Sequence, residues 1–122
     1  MLTVEDVARH WRLRPAAVRQ RIAAGDLEAV LIAGRFRMDW PSVWACEGGQ
    51  PPPVRTDAYK VALMTKRDLA ERVGVSTRTI ERWVTEGLPM RSVGANRRFN
   101  RSEAAAWLRT RFGRKVADLL KA

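Results

Sequence analysis

The chain has 122 residues, 46% of them hydrophobic and 30% charged, so a packed fold is expected and global disorder is not. A net charge of +10 points to a polyanionic partner, a phosphate backbone ahead of an anionic membrane surface. The single cysteine, Cys46, excludes an internal disulfide, and no apolar run approaches the ~18 residues of a membrane span.

The charge is uneven. Residues 1–50 hold seven Lys/Arg against six Asp/Glu, while residues 51–122 hold sixteen against seven. The second half is therefore expected to supply most of the sequence-independent attraction to a polyanion. The opening Met1-Leu2-Thr3-Val4-Glu5-Asp6 does not read as a signal peptide, and a cytoplasmic location is expected.

In chain order, Thr3 is a candidate N-cap for a helix over residues 4–11. Pro15 suits the first turn of a second helix, 15–24, where its missing N–H costs nothing, and Gly25 ends it. Residues 28–33 and 35–38 flank Gly34 as a hairpin, and Asp39 caps a short helix over 40–46. Two glycines and three consecutive prolines follow in Glu47-Gly48-Gly49-Gln50-Pro51-Pro52-Pro53. They predict a linker over 48–60, extended and semi-rigid.

Beyond the linker, Thr65 caps a helix over 66–73, with Leu69 and Val73 on one face and Gly74 as terminator. Ser76 caps the next helix, 77–86, where Ile80, Trp83 and Val84 form one buried stripe. Two helices joined by a tight Gly-containing turn carry the pattern of a helix-turn-helix. Strands over 90–93 and 97–100 surround Gly94-Ala95-Asn96, and Ser102 is a candidate cap for a third helix over 103–112, with Ala106 and Trp107 inward. Residues 114–122 form a basic amphipathic tail with Val116, Leu119 and Leu120 on one side.

These two stretches repeat. Thr3-Val4-Glu5-Asp6-Val7-Ala8 aligns with Thr65-Lys66-Arg67-Asp68-Leu69-Ala70, and at the same offset Val18 meets Ile80, Ile22 meets Val84 and Gly25 meets Gly87. With one residue inserted, Phe36 meets Phe99 and Trp44 meets Trp107. The expected architecture is mainly α with short β-hairpin wings, in two tandem winged helix-turn-helix domains over 1–47 and 61–113.

Ser76-Thr77-Arg78-Thr79-Ile80-Glu81-Arg82-Trp83-Val84 with Gly87-Leu88-Pro89, and Arg97-Arg98-Phe99-Asn100-Arg101-Ser102-Glu103 with Trp107-Leu108, resemble MerR-like and excisionase-like winged helix-turn-helix domains. Residues 2–46 resemble them through the repeat. The resemblance implies a helix in the major groove of double-stranded DNA and an arginine-bearing wing on the backbone or in the minor groove. It implies a phage or mobile-element excisionase-like factor or a small transcription regulator, with a recombinase or RNA polymerase as candidate protein partner. The long dimerising helix and effector domain of full MerR regulators have no counterpart, so ligand sensing is not expected.

The buried stripe leaves Arg78, Thr79 and Arg82 on the opposite face, with Thr77 at the helix start. Arginine reads guanine O6 and N7 bidentately, and threonine meets a thymine methyl or a phosphate. Arg97, Arg98 and Arg101 are the second wing's candidates, and Arg35 and Arg37 the first's. In the first copy Ala16 and Ala17 carry little base information, so Arg19 and Gln20 are its readers, unless that copy binds protein. Trp83, Trp107, Phe36, Phe99 and Trp44 are expected in the core rather than as base-stacking platforms; their spacing does not extend that reading to Trp11 and Trp40. His10, the only histidine, has no second ligand set for zinc and no nucleophile beside it, so no metal, cofactor or catalytic site is expected. The competing reading is a small terminase-like packaging subunit that self-associates through Val116, Leu119 and Leu120 and recruits a partner protein.

Overall fold

The structure, a computed structural model, describes residues 1–121. Contacts divide the chain into two compact units, Met1–Ala62 with Ser92–Asn96, and Leu63–Arg91 with Arg97–Ala122.

The first unit opens on a reciprocal capping box. The Asp6 amide donates to Thr3 Oγ1 at 3.0 Å, and the Thr3 amide donates to Asp6 Oδ2 at 2.9 Å. Helix α1 (Val4–Trp11) buries Val4, Val7, Ala8 and Trp11. It stops at Arg12, held in the left-handed region at φ 56, ψ 44, with the Leu13 amide reaching back to the Ala8 carbonyl at 2.9 Å. Helix α2 (Pro15–Ala23) starts on its proline and buries Val18. Strands β1 (Val30–Ile32) and β2 (Arg35–Arg37) pair antiparallel, Val30 with Arg37, Leu31 with Phe36 and Ile32 with Arg35. Ala33 and Gly34 make the turn at φ 51 and 79, as a two-residue hairpin of this hand requires. Leu2 and Met38 then exchange backbone hydrogen bonds, which ties the N-terminus to the end of the hairpin. Helix α3 (Trp40–Glu47) begins at Asp39, whose Oδ1 accepts from the Ser42 amide at 2.9 Å.

The expected extended linker does not form. Residues Pro53–Tyr59 make a 3-10 helix, kinked at Arg55, and Tyr59 is buried. The Trp44 indole donates to the Tyr59 carbonyl at 3.1 Å, and Gln50 Nε2 donates to the Pro41 carbonyl at 2.9 Å. The prolines restrict φ, but an aromatic ring and an indole donor are enough to fold the segment back on its own unit.

In the second unit, Thr65 and Asp68 repeat the capping box at the start of α4 (Lys66–Val73), and Gly74 ends it at φ 82. Helix α5 (Thr77–Thr85) starts at Ser76, whose Oγ accepts from the Thr79 amide at 3.2 Å. Strands β3 (Arg91–Val93) and β4 (Asn96–Arg98) form the second hairpin. Met64 and Phe99 exchange backbone bonds of 2.8 Å. Helix α6 (Arg101–Phe112) is followed by the short α7 (Arg114–Ala117) and a 3-10 turn, Asp118–Leu120. The core gathers Leu69, Ile80, Trp83, Leu88, Phe99, Ala104 and Leu108. Full burial of Ile80 alone contributes about 1.5–3 kcal/mol.

Three expectations are corrected in this unit. The cap of α6 is Asn100, whose Oδ1 accepts from the Glu103 amide at 3.0 Å; Ser102 lies inside the helix. Ala106 faces outward, because Ala104 and Leu108 define the inner stripe of α6 and leave Trp107 half-buried. The tail does not present one apolar side: Leu120 is buried, Val116 packs against the same core, and Leu119 is exposed.

The repeat also aligns differently from its aromatic residues. Residues 4–47 and 66–112 each run through two helices, a hairpin and a third helix in the same order. The offset of 62 holds through Gly25 and Gly87, whose amides reach back to Ile22 and Val84 respectively. From there it is 61: buried Leu27 answers to Leu88, Met38 to Phe99, and cap Asp39 to cap Asn100. The second stretch is therefore one residue shorter than the first after its second helix, not one residue longer. Phe36 answers to Arg97 and Trp44 to Ala105, so the matching aromatic spacing is coincidental.

Candidate nucleic-acid interface

Helix α5 carries two faces set by its own periodicity. Ile80 and Trp83 are buried and Val84 packs partly against them, while Thr77, Arg78 and Arg82 are exposed. The Arg82 guanidinium is held only loosely, Nε 3.8 Å from Glu86 Oε2, with 64% of its side chain exposed. A pair this open is weak and readily exchanged for a phosphate or a base. Thr79 is less available. Its amide and hydroxyl both turn to Ser76, the two hydroxyl oxygens lying 3.1 Å apart.

Helices α4 and α5 are pinned to each other at the surface by Lys66 Nζ and Glu81 Oε1, 2.6 Å apart. The Lys66 hydrogen bond and charge hold the Glu81 carboxyl below its ordinary pKa. Beneath the helix, Trp83, Trp107 and Phe112 cluster with centroids 5.2–6.3 Å apart. The Arg111 guanidinium sits 5.2 Å from the Trp107 ring and pairs with Glu86, closing the cluster from the solvent side. The aromatic residues are thus used for packing, not as stacking platforms.

On the second hairpin Arg97 is exposed and Arg98 half-exposed, with Arg98 Nη1 donating to the Arg97 carbonyl at 2.8 Å. Arg101 is not on the wing. It is the first residue of α6, its Nε is buried without a hydrogen-bond partner, and burial together with nearby Arg72 lowers its pKa. Arg91, which sequence reasoning missed, is buried at the start of β3 with Nη1 3.7 Å from Glu103 Oε2.

Residues 63–111 match the family model of a helix-turn-helix domain. The match spans α4, α5, the second hairpin and nearly all of α6, and it supports DNA binding by this part of the chain. No curated protein and no solved structure matches the chain. In the matched segment α5 is the second helix.

The first unit brings a comparable set together. Arg19 of α2 and Arg35 and Arg37 of the hairpin line one cavity of roughly 270 Å³ beside Thr3 at the start of α1. Arg19 Nη2 lies 3.6 Å from Glu5 Oε2, and Arg37 Nη1 donates to the Phe36 carbonyl at 2.8 Å, the same contact that Arg98 makes. The inter-helix pair is reversed in polarity between units: Glu5 with Arg19 in the first, Lys66 with Glu81 in the second. Gln20 is exposed, as is Ala16.

His10 is buried in this unit. Its Nε2 lies 2.9 Å from Glu47 Oε1, its ring meets Trp40 edge-on at 4.8 Å, and Trp11 Nε1 donates to the same carboxylate oxygen at 3.0 Å. A lone histidine and a glutamate 37 residues apart gave no spacing signal for this cluster. Burial pushes the Cys46 thiol up to about 11, so it has little thiolate character at neutral pH. Among the described residues no three His, Cys, Asp or Glu side chains are placed to hold a metal, and no helix is long and apolar enough to cross a membrane.

Proposed function

We propose that the chain is a non-catalytic, sequence-specific double-stranded DNA-binding factor built from two tandem winged helix-turn-helix units, either an excisionase-like mobile-element factor or a small transcription regulator. The exposed pair Arg78 and Arg82, on the face of α5 opposite Ile80 and Trp83, carries this reading. Arg78 and Arg82 read bases, Arg97 and Arg98 hold the backbone beside them, and Arg19, Arg35 and Arg37 give the first unit its own phosphate contacts. The reading places the protein in the cytoplasm, with a recombinase or RNA polymerase as its protein partner. The alternative, a terminase-like packaging subunit, predicts a multimer built on Val116, Leu119 and Leu120, of which Val116 and Leu120 pack on the core of the second unit.

The test is a footprint on DNA beside the protein's own gene, followed by Arg82→Ala. The variant is expected to lose about 1–3 kcal/mol on the footprinted site and far less on unrelated duplex. Equal loss on both reduces Arg82 to a phosphate contact, and no binding at low salt refutes the proposal.

A further inference from the structure

We propose that Glu81 sets a base preference: its carboxylate, in the middle of the exposed face of α5, selects a cytosine in the major groove by accepting a hydrogen bond from the N4 amine. The inference rests on the reading that α5 enters that groove. Arg78, Glu81, Arg82 and Thr85 are all exposed and follow one another at i, i+3, i+4 and i+7, so they form a single stripe. Glu81 lies about 1.5 Å along the helix axis from Arg82 and about 4.5 Å from Arg78, so the base it meets adjoins those that the two arginines read.

The carboxylate is ionised in this setting. The hydrogen bond from Lys66 at 2.6 Å, the Lys66 charge and the charges of Arg78 and Arg97 all favour that form. An ionised carboxylate accepts hydrogen bonds and donates none. Phosphates repel it, and guanine and thymine offer it no N–H donor in the major groove. Adenine sets its N6 amine beside the N7 acceptor, whereas cytosine presents its N4 amine with no acceptor on its own edge. An acid in this stripe therefore weakens contact with most sequences and is compensated at a cytosine, so it acts by rejecting wrong sites as much as by holding the right one.

The fold itself does not call for an acid here. At the offset of 62, Glu81 answers to Arg19, which pairs with Glu5 of α1. Either polarity ties the two helices, and a pair as open to solvent as Lys66 with Glu81 contributes little to stability.

The test measures binding of the full chain to its footprinted site and to duplexes carrying each single base-pair change within that site. The wild type is expected to lose about 10-fold or more when one cytosine, beside a guanine read by Arg78 or Arg82, is replaced. Glu81→Ala is expected to lose that preference, keep the guanine preferences and bind unrelated duplex more tightly than the wild type. Lys66→Glu combined with Glu81→Arg keeps a tie between the helices with the polarity of the first unit, and is expected to lack the cytosine preference as well. A wild type indifferent to every cytosine, an alanine variant that keeps the preference, or a swapped pair that regains it overturns the proposal and leaves DNA binding standing. A wild type that binds no duplex at low salt overturns both the proposal and the reading beneath it.

Discussion

His10 and Glu47 share a buried hydrogen bond, Nε2 to Oε1 at 2.9 Å, that fastens the end of α1 to the end of α3. The same oxygen accepts from Trp11 Nε1, so one carboxylate oxygen serves two donors at fully or nearly fully buried residues. Glu47→Ala strands both donors and is expected to destabilise the protein by about 2–4 kcal/mol. Glu47→Gln keeps an accepting oxygen in the same place and is expected to cost clearly less. Chemical denaturation of both variants checks this; equal losses would mean that charge, not acceptance, is what the site needs.

Arg12 and Gly74 occupy the same left-handed terminator position after α1 and α4. A side chain there carries a steric penalty of roughly 1–2 kcal/mol that glycine escapes, less the extra entropy glycine has when unfolded. Arg12→Gly is therefore expected to stabilise the protein by about 0.5–1 kcal/mol, read as a rise in melting temperature. A fall would show that the Arg12 side chain contributes more than the strain removes.

Asp6 and Asp39 both cap helices of the first unit, and their carboxyls lie below the ordinary value, through the hydrogen bond from the Thr3 amide in one case and the hydrogen bonds from Ser42 in the other. A carboxyl depressed by folding stabilises the folded state fully above its unfolded pKa of about 4 and loses that contribution as pH falls through the lower folded value. Acid is thus expected to weaken the first unit below about pH 4. Asp6→Asn and Asp39→Asn should lower stability at neutral pH and flatten this acid limb in pH-dependent thermal melts. An unchanged acid limb in both would exclude these two caps as its source.

Much of the fold was legible because local signals agreed with tertiary packing. Thr3 and Thr65 with their acidic partners, Pro15, Ser76 and the glycines after the helices all act within a few residues; α1 begins, and α4 begins and ends, where those residues predict. The arginine face of α5 followed from the same logic, since burying Ile80 and Trp83 leaves only one side free. Aromatic spacing misled, because Phe36 and Phe99 look alike in sequence but only Phe99 is fully buried.

By itself, then, the sequence determined the starts of the first five α-helices, their order with the two hairpins and which side of α5 carries charge. Those properties arise from hydrogen bonds and periodicities spanning a turn or two of chain. Tertiary structure alone decided that Tyr59 folds the proline segment back onto Trp44, that Arg101 belongs to a helix rather than a wing, and that His10, Trp11 and Glu47 converge. Each depends on a partner distant in sequence or on competition for limited interior space, and neither leaves a periodic trace in the order of residues.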